Sequence, residues 1–228
     1  MRRAIEQLAA EFVGTFFVVF FASGALIAGP WQKSAGETGF ATLCAAFAYG
    51  LAVAVMTEIT GPISGGHLNP AISLGAWAAR KIGGWRLFGY SLVQILAGFA
   101  AARTLAAIFP QSAWRAAGLG TPVLSASLSR AQGMTMEAVL AFGIALIFFR
   151  TALRDGKPSG WAVGAAIAAA VLVAMPATGA GLNPARILGP AVLSDHWANQ
   201  GVWWVGPLLG GVLGAWCAGA LGSTQGVT

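Results

Sequence analysis

The chain has 228 residues, of which 57% are hydrophobic and 9% are charged, whereas about a quarter of the residues in a soluble domain are charged. Together with a mean hydropathy of +0.74, this composition argues against a soluble enzyme or a nucleic-acid-binding protein. The formal net charge of +6 does not indicate a polyanionic partner, because the basic residues cluster at the ends of apolar runs, where they report membrane topology.

Six apolar runs are long enough to cross a membrane, since a spanning helix needs about 20 residues. They lie at about 5–28, 38–60, 86–109, 133–153, 160–177 and 202–222. The first has no cleavage site behind a short apolar core, so we expect a retained span and not a removed signal peptide. The two cysteines, Cys44 and Cys217, fall inside apolar runs and are expected to be ordinary buried thiols.

Two further apolar stretches, 67–80 and 181–193, are too short to span. At 1.5 Å of rise per residue, each covers roughly half of a ~30 Å hydrocarbon core. We therefore predict an all-α membrane protein with six transmembrane helices and two re-entrant half-helices. The loops before the half-helices must be buried in protein or line a watery cavity, because lipid cannot satisfy their backbone groups.

The basic residues predict the orientation. In a six-span arrangement, eight basic residues lie on one side of the membrane and three lie on the other side. The three are Lys33, Arg115 and Arg130. The eight are Arg2, Arg3, Arg80, Lys81, Arg86, Arg150, Arg154 and Lys157. Cytoplasmic loops carry the excess of Lys and Arg, so both termini are predicted to be cytoplasmic, in a cell or inner membrane.

An internal repeat organises the chain. The segment 68–71, Leu-Asn-Pro-Ala, recurs at 182–185, and a span with an early glutamate, Glu11 or Glu137, comes before each copy. Each unit has three spans and one half-span, so the second unit enters the membrane from the opposite side. We predict one domain over 1–228, with inverted repeats at about 1–109 and about 132–222 and a connecting loop at about 110–131.

The repeated motif predicts where the half-helices begin. Asparagine is a strong N-cap and proline is favoured at the first helical position, so each half-helix is expected to start at Asn69 or Asn183, near the middle of the membrane. The amide oxygen then caps the helix, which leaves the NH₂ group free to donate into the cavity. The positive ends of two helix dipoles meeting there disfavour cations.

Residues around the motif extend the predicted pore. The glycine-rich loops allow an irregular backbone whose carbonyls face the pore; they include Gly65, Gly66, His67, Gly179 and Gly181. Arg186 stands one turn into an apolar half-helix, so we expect it to line the pore; snorkelling to the interface is the alternative. His67 is interpreted as a pore-wall or gating group, or as a loop histidine held by packing.

The two buried glutamates have two interpretations. They can be proton-coupling carboxylates of a secondary transporter, or each can accept the stranded N–H groups of one re-entrant loop. The symmetry of Glu11 and Glu137 favours the structural role. No cluster of nucleophile, base or metal ligands is apparent in the sequence, so we expect no catalytic site, metal or cofactor.

The sequence resembles the aquaporin and aquaglyceroporin channels, also called major intrinsic proteins. The segments 64–71, 182–186 and 10–16 carry this resemblance, which covers essentially the whole chain. It implies a six-span hourglass, a homotetramer with one pore per subunit, and an outer selectivity filter. The filter positions match Tyr49, Val171, Ala180 and Arg186.

The filter departs from both known patterns of the family. Val171 and Ala180 replace the histidine and the small polar residue of water-selective members, while Ile187 and Ala191 stand where glycerol facilitators tend to have Asp and a basic residue. We expect a passive channel for water that excludes protons and ions, with glycerol, urea or undissociated metalloid acids as further permeants. The alternatives are an aquaglyceroporin-like or metalloid channel with a widened filter, and a proton-coupled transporter using Glu11 or Glu137.

Overall fold

The structure is a computed structural model, of which residues 2–31 and 38–221 are described. In these residues the chain forms nine α-helices, a 3-10 turn at Gly118–Gly120 and no strand. The helices are α1 Arg2–Trp31, α2 Thr38–Ser64, α3 Pro70–Ala78, α4 Gly84–Ile108, α5 Gln111–Ala116, α6 Arg130–Asp155, α7 Gly160–Thr178, α8 Pro184–Ser194 and α9 Gln200–Ala220.

The six long helices coincide with the six predicted spans, and each has the length and composition to cross a membrane. The two short helices that follow the repeated motif, α3 and α8, have 9 and 11 residues. The predicted fold class is therefore confirmed. Lys33, which entered the orientation argument, lies outside the described residues.

The segment predicted as a connecting loop is partly helical. It contains α5 and the 3-10 turn, and α6 begins within it at Arg130. Ser129 and Gln132 form a capping box in which Gln132 N–H donates to Ser129 Oγ over 3.2 Å and Ser129 N–H donates to Gln132 Oε1 over 2.8 Å. This pair of bonds satisfies two free N–H groups and extends the helix beyond its apolar run.

Glycines let the two repeats interlock. The half-helix α3 packs against α9, and α8 packs against α4, so each half-helix leans on the last long helix of the other repeat. A Cβ atom on Gly98 would lie 2.1 Å from the carbonyl oxygen of Ala185, and one on Gly211 would lie 2.3 Å from that of Ala71. Only glycine permits these backbone contacts, which bring both half-helices into the centre of the bundle.

The same device joins α2 and α7. A Cβ atom on Gly50 would lie 2.7 Å from the Gly164 carbonyl oxygen, and one on Gly164 would lie 2.4 Å from the Gly50 carbonyl oxygen. The two glycines are 114 positions apart, the same spacing that separates the two asparagines. The crossing therefore relates equivalent points of the repeat.

The outer surface of the bundle is apolar. Along α2, one face carries large side chains that are each at least 40% exposed: Leu43, Phe47, Leu51, Val55, Ile59 and Ile63. The prediction of two buried thiols was wrong, because Cys44 is exposed on this helix and Cys217 is only half-buried. Lipid is as apolar as a protein core, so an apolar run does not reveal which of its residues point inward.

Candidate functional site

The two half-helices begin at the paired asparagines. Asn69 Oδ1 accepts the Ala71 N–H over 2.8 Å, and Asn183 Oδ1 accepts the Ala185 N–H over 3.0 Å. In each case the next residue is the proline at the first helical position. The local geometry is thus that of an N-capped helix start, as the motif predicts.

The sequence predicts that the asparagine NH₂ groups are free to donate into the cavity, but each of them makes one hydrogen bond within the protein. Asn69 Nδ2 donates to the Leu182 carbonyl over 3.0 Å, and Asn183 Nδ2 donates to the Leu68 carbonyl over 2.9 Å. Both leucines have left-handed backbone angles, with φ of 52° at Leu68 and 59° at Leu182. These angles turn their carbonyls away from any helix and toward the opposite repeat. Each amide keeps one N–H that these two bonds do not use, and the two bonds tie the helix tips together.

Glu11 holds the first loop from behind. Its side chain is fully buried and accepts the backbone N–H groups of His67 over 3.0 Å and Leu68 over 2.7 Å. It also accepts the Ser64 hydroxyl over 2.6 Å and Gln94 Nε2 over 2.8 Å. Four donors on one carboxylate saturate it, and they fix the backbone immediately before Asn69.

Glu137 repeats this arrangement in the second half. It is also fully buried and accepts the N–H groups of Gly181 over 3.0 Å and Leu182 over 2.7 Å. The Thr178 hydroxyl donates to it over 2.6 Å. The geometry matches the loop-supporting interpretation of both glutamates.

Two aromatic residues complete the loop supports and were missed from the sequence. Tyr90 donates its hydroxyl to the Ser64 carbonyl over 2.9 Å, and Trp203 donates Nε1 to the Thr178 carbonyl over 2.9 Å. Each bond satisfies a carbonyl at the end of the helix that leads into a loop. The repeat does not point to them directly, because these residues lie 113 positions apart, one fewer than the two asparagines.

The structure places all four predicted filter residues inside the bundle. Tyr49, Val171, Ala180 and Arg186 are all buried, none more than 2% exposed. The Arg186 guanidinium carbon lies 5.4 Å from the centre of the Tyr49 ring, within the range of a cation–π contact. Arg186 does not snorkel, because its side chain lies inside the bundle.

Arg186 keeps unused donors in this buried position. Its Nε and Nη1 atoms have no hydrogen-bond partner among the described residues. A buried guanidinium with free N–H groups is costly unless something polar comes to it. The arrangement therefore suits a transient acceptor such as a water or hydroxyl oxygen.

A narrow cavity of about 20 Å³ lies beside both asparagines. Its wall includes Tyr49, Gly66, His67, Asn69 and Asn183. At the end where α1 begins, a wide vestibule of about 630 Å³ is also lined by Gly65 and His67. His67 thus borders both spaces.

His67 is both a wall residue and a packed loop residue, so the two interpretations are not exclusive. Its side chain is 8% exposed, and Nδ1 lies 3.1 Å from Ser73 Oγ. Edge-on ring contacts with Tyr90 and Phe148 hold it, at centre distances of 5.3 and 5.8 Å. In the second loop, the Gly181 carbonyl accepts the Asn183 N–H over 2.7 Å, and this bond restrains the backbone just before α8.

Gly179 ends α7 in a left-handed conformation with φ of 73°, which glycine adopts without strain. Its N–H donates back to the Ala174 and Met175 carbonyls.

Across residues 2–31 and 38–221, no group of three His, Cys, Asp or Glu side chains is placed to hold a metal ion.

The fold and the site define a helical membrane channel, in which two half-helices meet beside a narrow passage. The comparisons with known proteins agree. Residues 2–218 match the family described as "Major intrinsic protein", and the chain belongs to this family. Members of the family are passive transport channels and not enzymes, so the expected class of function is confirmed.

Known relatives and one solved structure match nearly all of this chain, which spans just under two thirds of the length of the first relative. Aquaporin-4 of Mus musculus is 33% identical over 222 residues, which are 95% of this chain and 66% of the relative. Aquaporin TIP4-4 of Zea mays is 36% identical over 216 residues, which are 92% of this chain and 83% of the relative. The X-ray structure of the aquaglyceroporin from Plasmodium falciparum matches with a TM-score of 0.74 at 22% identity, covering 94% of this chain and 93% of that one.

Proposed function

We propose that the protein conducts water as its main permeant, past Arg186 and between Asn69 and Asn183. The narrow cavity beside the asparagines carries this proposal. A void needs about 10–15 Å³ to hold one water, so a cavity of about 20 Å³ admits water molecules singly. Glycerol, urea and undissociated metalloid acids are larger, and we place them second.

The helix tips supply the basis for excluding protons. Asn69 and Asn183 each have one amide N–H that the cross-bonds to Leu182 and Leu68 leave unused. When both donate to one water oxygen, the hydrogens of that water point outward along the passage, and a continuous proton wire is broken. The positive ends of α3 and α8 raise the barrier for hydronium and other cations.

The filter residues supply selectivity by width and charge. Arg186 offers Nε and Nη1 to a passing oxygen and opposes cations. Tyr49 narrows one wall, whereas Val171 and Ala180 occupy less space than the polar residues of water-selective relatives. The loop residues Gly65, Gly66, His67, Gly179 and Gly181 are proposed to provide further acceptors along the path.

A widened filter favours one second candidate, an aquaglyceroporin-like or metalloid-permeable channel. The observation behind it is that Val171 and Ala180, two of the proposed filter residues, are both fully buried and apolar. A proton-coupled carrier gains no such support. Glu11 and Glu137 are fully buried behind the loops, where Glu11 accepts four hydrogen bonds and Glu137 accepts three, and neither lines the narrow cavity or the vestibule.

The assembly and orientation belong to the same proposal. We expect a homotetramer in the lipid bilayer, with a pore in each subunit and both termini in the cytoplasm of a cell or inner membrane. The exposed apolar face of α2 offers a surface for a second subunit. Native mass spectrometry of the detergent-solubilised protein tests the tetramer, and protease access to a terminal tag in sealed vesicles tests the orientation.

Stopped-flow light scattering of proteoliposomes tests the main permeant. Water permeability is measured after an osmotic step, glycerol permeability in an isosmotic exchange, and proton flux with an internal pH dye. We expect high water permeability, slower glycerol entry and no proton flux above that of empty vesicles. Glycerol entry as fast as water flow would favour the widened-filter candidate, and proton-driven saturable uptake would favour a carrier.

A further inference from the structure

The start of α1 and the start of α4 enclose a basic cleft. This α1–α4 cleft has a volume of about 190 Å³ and is lined by Arg3, Gln7, Leu8, Trp85, Arg86 and Tyr90. It opens on the side where α1 begins, the side with the excess of basic residues, and it is separate from the vestibule and from the narrow cavity.

Its two arginines are available to a ligand. Arg3 and Arg86 have no hydrogen-bond or ion-pair partner within residues 2–31 and 38–221. The nearby carboxylate of Glu6 is paired with Arg2 over 3.1 Å, and no acidic residue lines the cleft. Two unpartnered guanidinium groups at one opening suit a phosphate diester, which arginine binds through paired N–H groups.

The surroundings of the cleft favour a lipid over a free phosphate. Leu8 and the Trp85 ring form apolar walls, and Trp85 is 68% exposed, as is typical of a ring at the headgroup level. On the same first turns of α1 and α4, Ile5 and Phe88 are 62% and 64% exposed.

The second repeat has a cleft at the equivalent place, which can be compared with the α1–α4 cleft. The starts of α6 and α9 enclose the equivalent α6–α9 cleft on the opposite side, with a volume of about 230 Å³. It holds one arginine, Arg130, whose Nε donates to Asn199 Oδ1 over 2.9 Å. The two clefts occupy matching places in the fold, but only the α1–α4 cleft has two unpartnered arginines.

We infer that the α1–α4 cleft binds the headgroup of an anionic phospholipid. Arg3 and Arg86 hold the phosphate, while Leu8 and Trp85 cover the upper part of the acyl chains. Basic pockets between transmembrane helices are the known physical basis of such recognition. The inference depends on the membrane fold and not on which solute the channel conducts.

Native mass spectrometry of the whole protein in detergent tests it, with dioleoylphosphatidylglycerol as the probe and dioleoylphosphatidylcholine as the uncharged reference. We expect Arg3→Gln/Arg86→Gln to bind phosphatidylglycerol roughly 30-fold more weakly, since each arginine near an anionic headgroup contributes about fivefold. Arg2→Gln/Arg154→Gln, which removes two exposed charges on the same side, and Arg130→Gln in the α6–α9 cleft should each change binding less than about twofold.

Three results would overturn the assignment. They are unchanged binding in Arg3→Gln/Arg86→Gln, an equal loss in Arg2→Gln/Arg154→Gln, and displacement of the lipid by millimolar inorganic phosphate, which would indicate a free-phosphate site. Size-exclusion profiles check that each variant is folded. If the double variant does not stay folded, the single variants Arg3→Gln and Arg86→Gln replace it, each with an expected loss of about fivefold.

Discussion

Replacing Glu11 with glutamine tests how the first re-entrant loop is held. The carboxylate accepts four hydrogen bonds, two of them from the backbone N–H groups of His67 and Leu68. Glutamine has almost the same shape but offers one acceptor oxygen and one NH₂ group. In either amide orientation, at least one of the loop N–H groups then faces another N–H.

The expected loss of stability follows from these contacts. A buried donor left without a partner costs about 1–3 kcal/mol, and hydrogen bonds to a charged acceptor are worth about 1 kcal/mol more than those to a neutral one. The sum is about 2–4 kcal/mol in the free energy of unfolding. For a chain of this size that lowers the melting temperature by about 5–15 °C.

Thermal unfolding in detergent, followed by the fluorescence of the native tryptophans, measures the shift. Glu6→Gln is the matched control, because Glu6 is half-exposed and only pairs with Arg2; its melting temperature should fall by no more than about 2 °C. Glu137→Gln should behave like Glu11→Gln, since Gly181 and Leu182 lose the same kind of acceptor. Melting temperatures within 2 °C of the native protein for both buried variants would refute the loop-supporting role.

Further predictions concern the pore. Arg186→Val should raise glycerol permeability severalfold and admit ions, and an unchanged permeability profile in proteoliposomes would argue against a pore-lining arginine. Val171→His should slow glycerol more than water in the same assay, so equal slowing would count against the assignment of the filter. Changing both asparagines, Asn69→Asp/Asn183→Asp, places negative charge at the helix tips and should increase cation leak measured with a pH or sodium dye; a folded double variant that excludes cations as well as the native protein would remove their proposed role. Gly50→Val puts a Cβ 2.7 Å from a backbone oxygen and should lower the yield of folded protein in size-exclusion chromatography, whereas normal yield would show that the helix crossing is less tight than described.

The spans and half-helices were predictable because two strong physical constraints act on the sequence. A spanning helix needs a minimum apolar length, and the Asn-Pro pairs at 69–70 and 183–184 each specify a helix start. Hydrogen bonds from the loop N–H groups to Glu11 and Glu137 could also be expected, since stranded N–H groups need an acceptor and the repeat offered one carboxylate per loop.

Other features depend on three-dimensional contacts that no local pattern encodes. Gln94, Tyr90 and Trp203 are single polar groups in apolar runs, and only the folded loops show which backbone atoms they meet. The bond from each asparagine to the opposite leucine carbonyl depends on left-handed backbone angles at Leu68 and Leu182. The exposure of Cys44 was missed because lipid-facing and protein-facing residues have the same apolar character.

Cysteine-directed block of water flow tests most directly whether a water passage runs beside the helix tips. In a Cys44→Ser/Cys217→Ser background, Ile167→Cys places a thiol in the wall of the narrow cavity, and Leu172→Cys places one on the exposed side of the same helix, where Leu172 is 47% exposed. We predict that a water-soluble mercurial abolishes most of the osmotic water permeability of the Ile167→Cys channel, reversibly with a thiol reductant, and leaves Leu172→Cys unaffected. Equal sensitivity of the two variants, or full permeability of a labelled Ile167→Cys channel, would contradict the account.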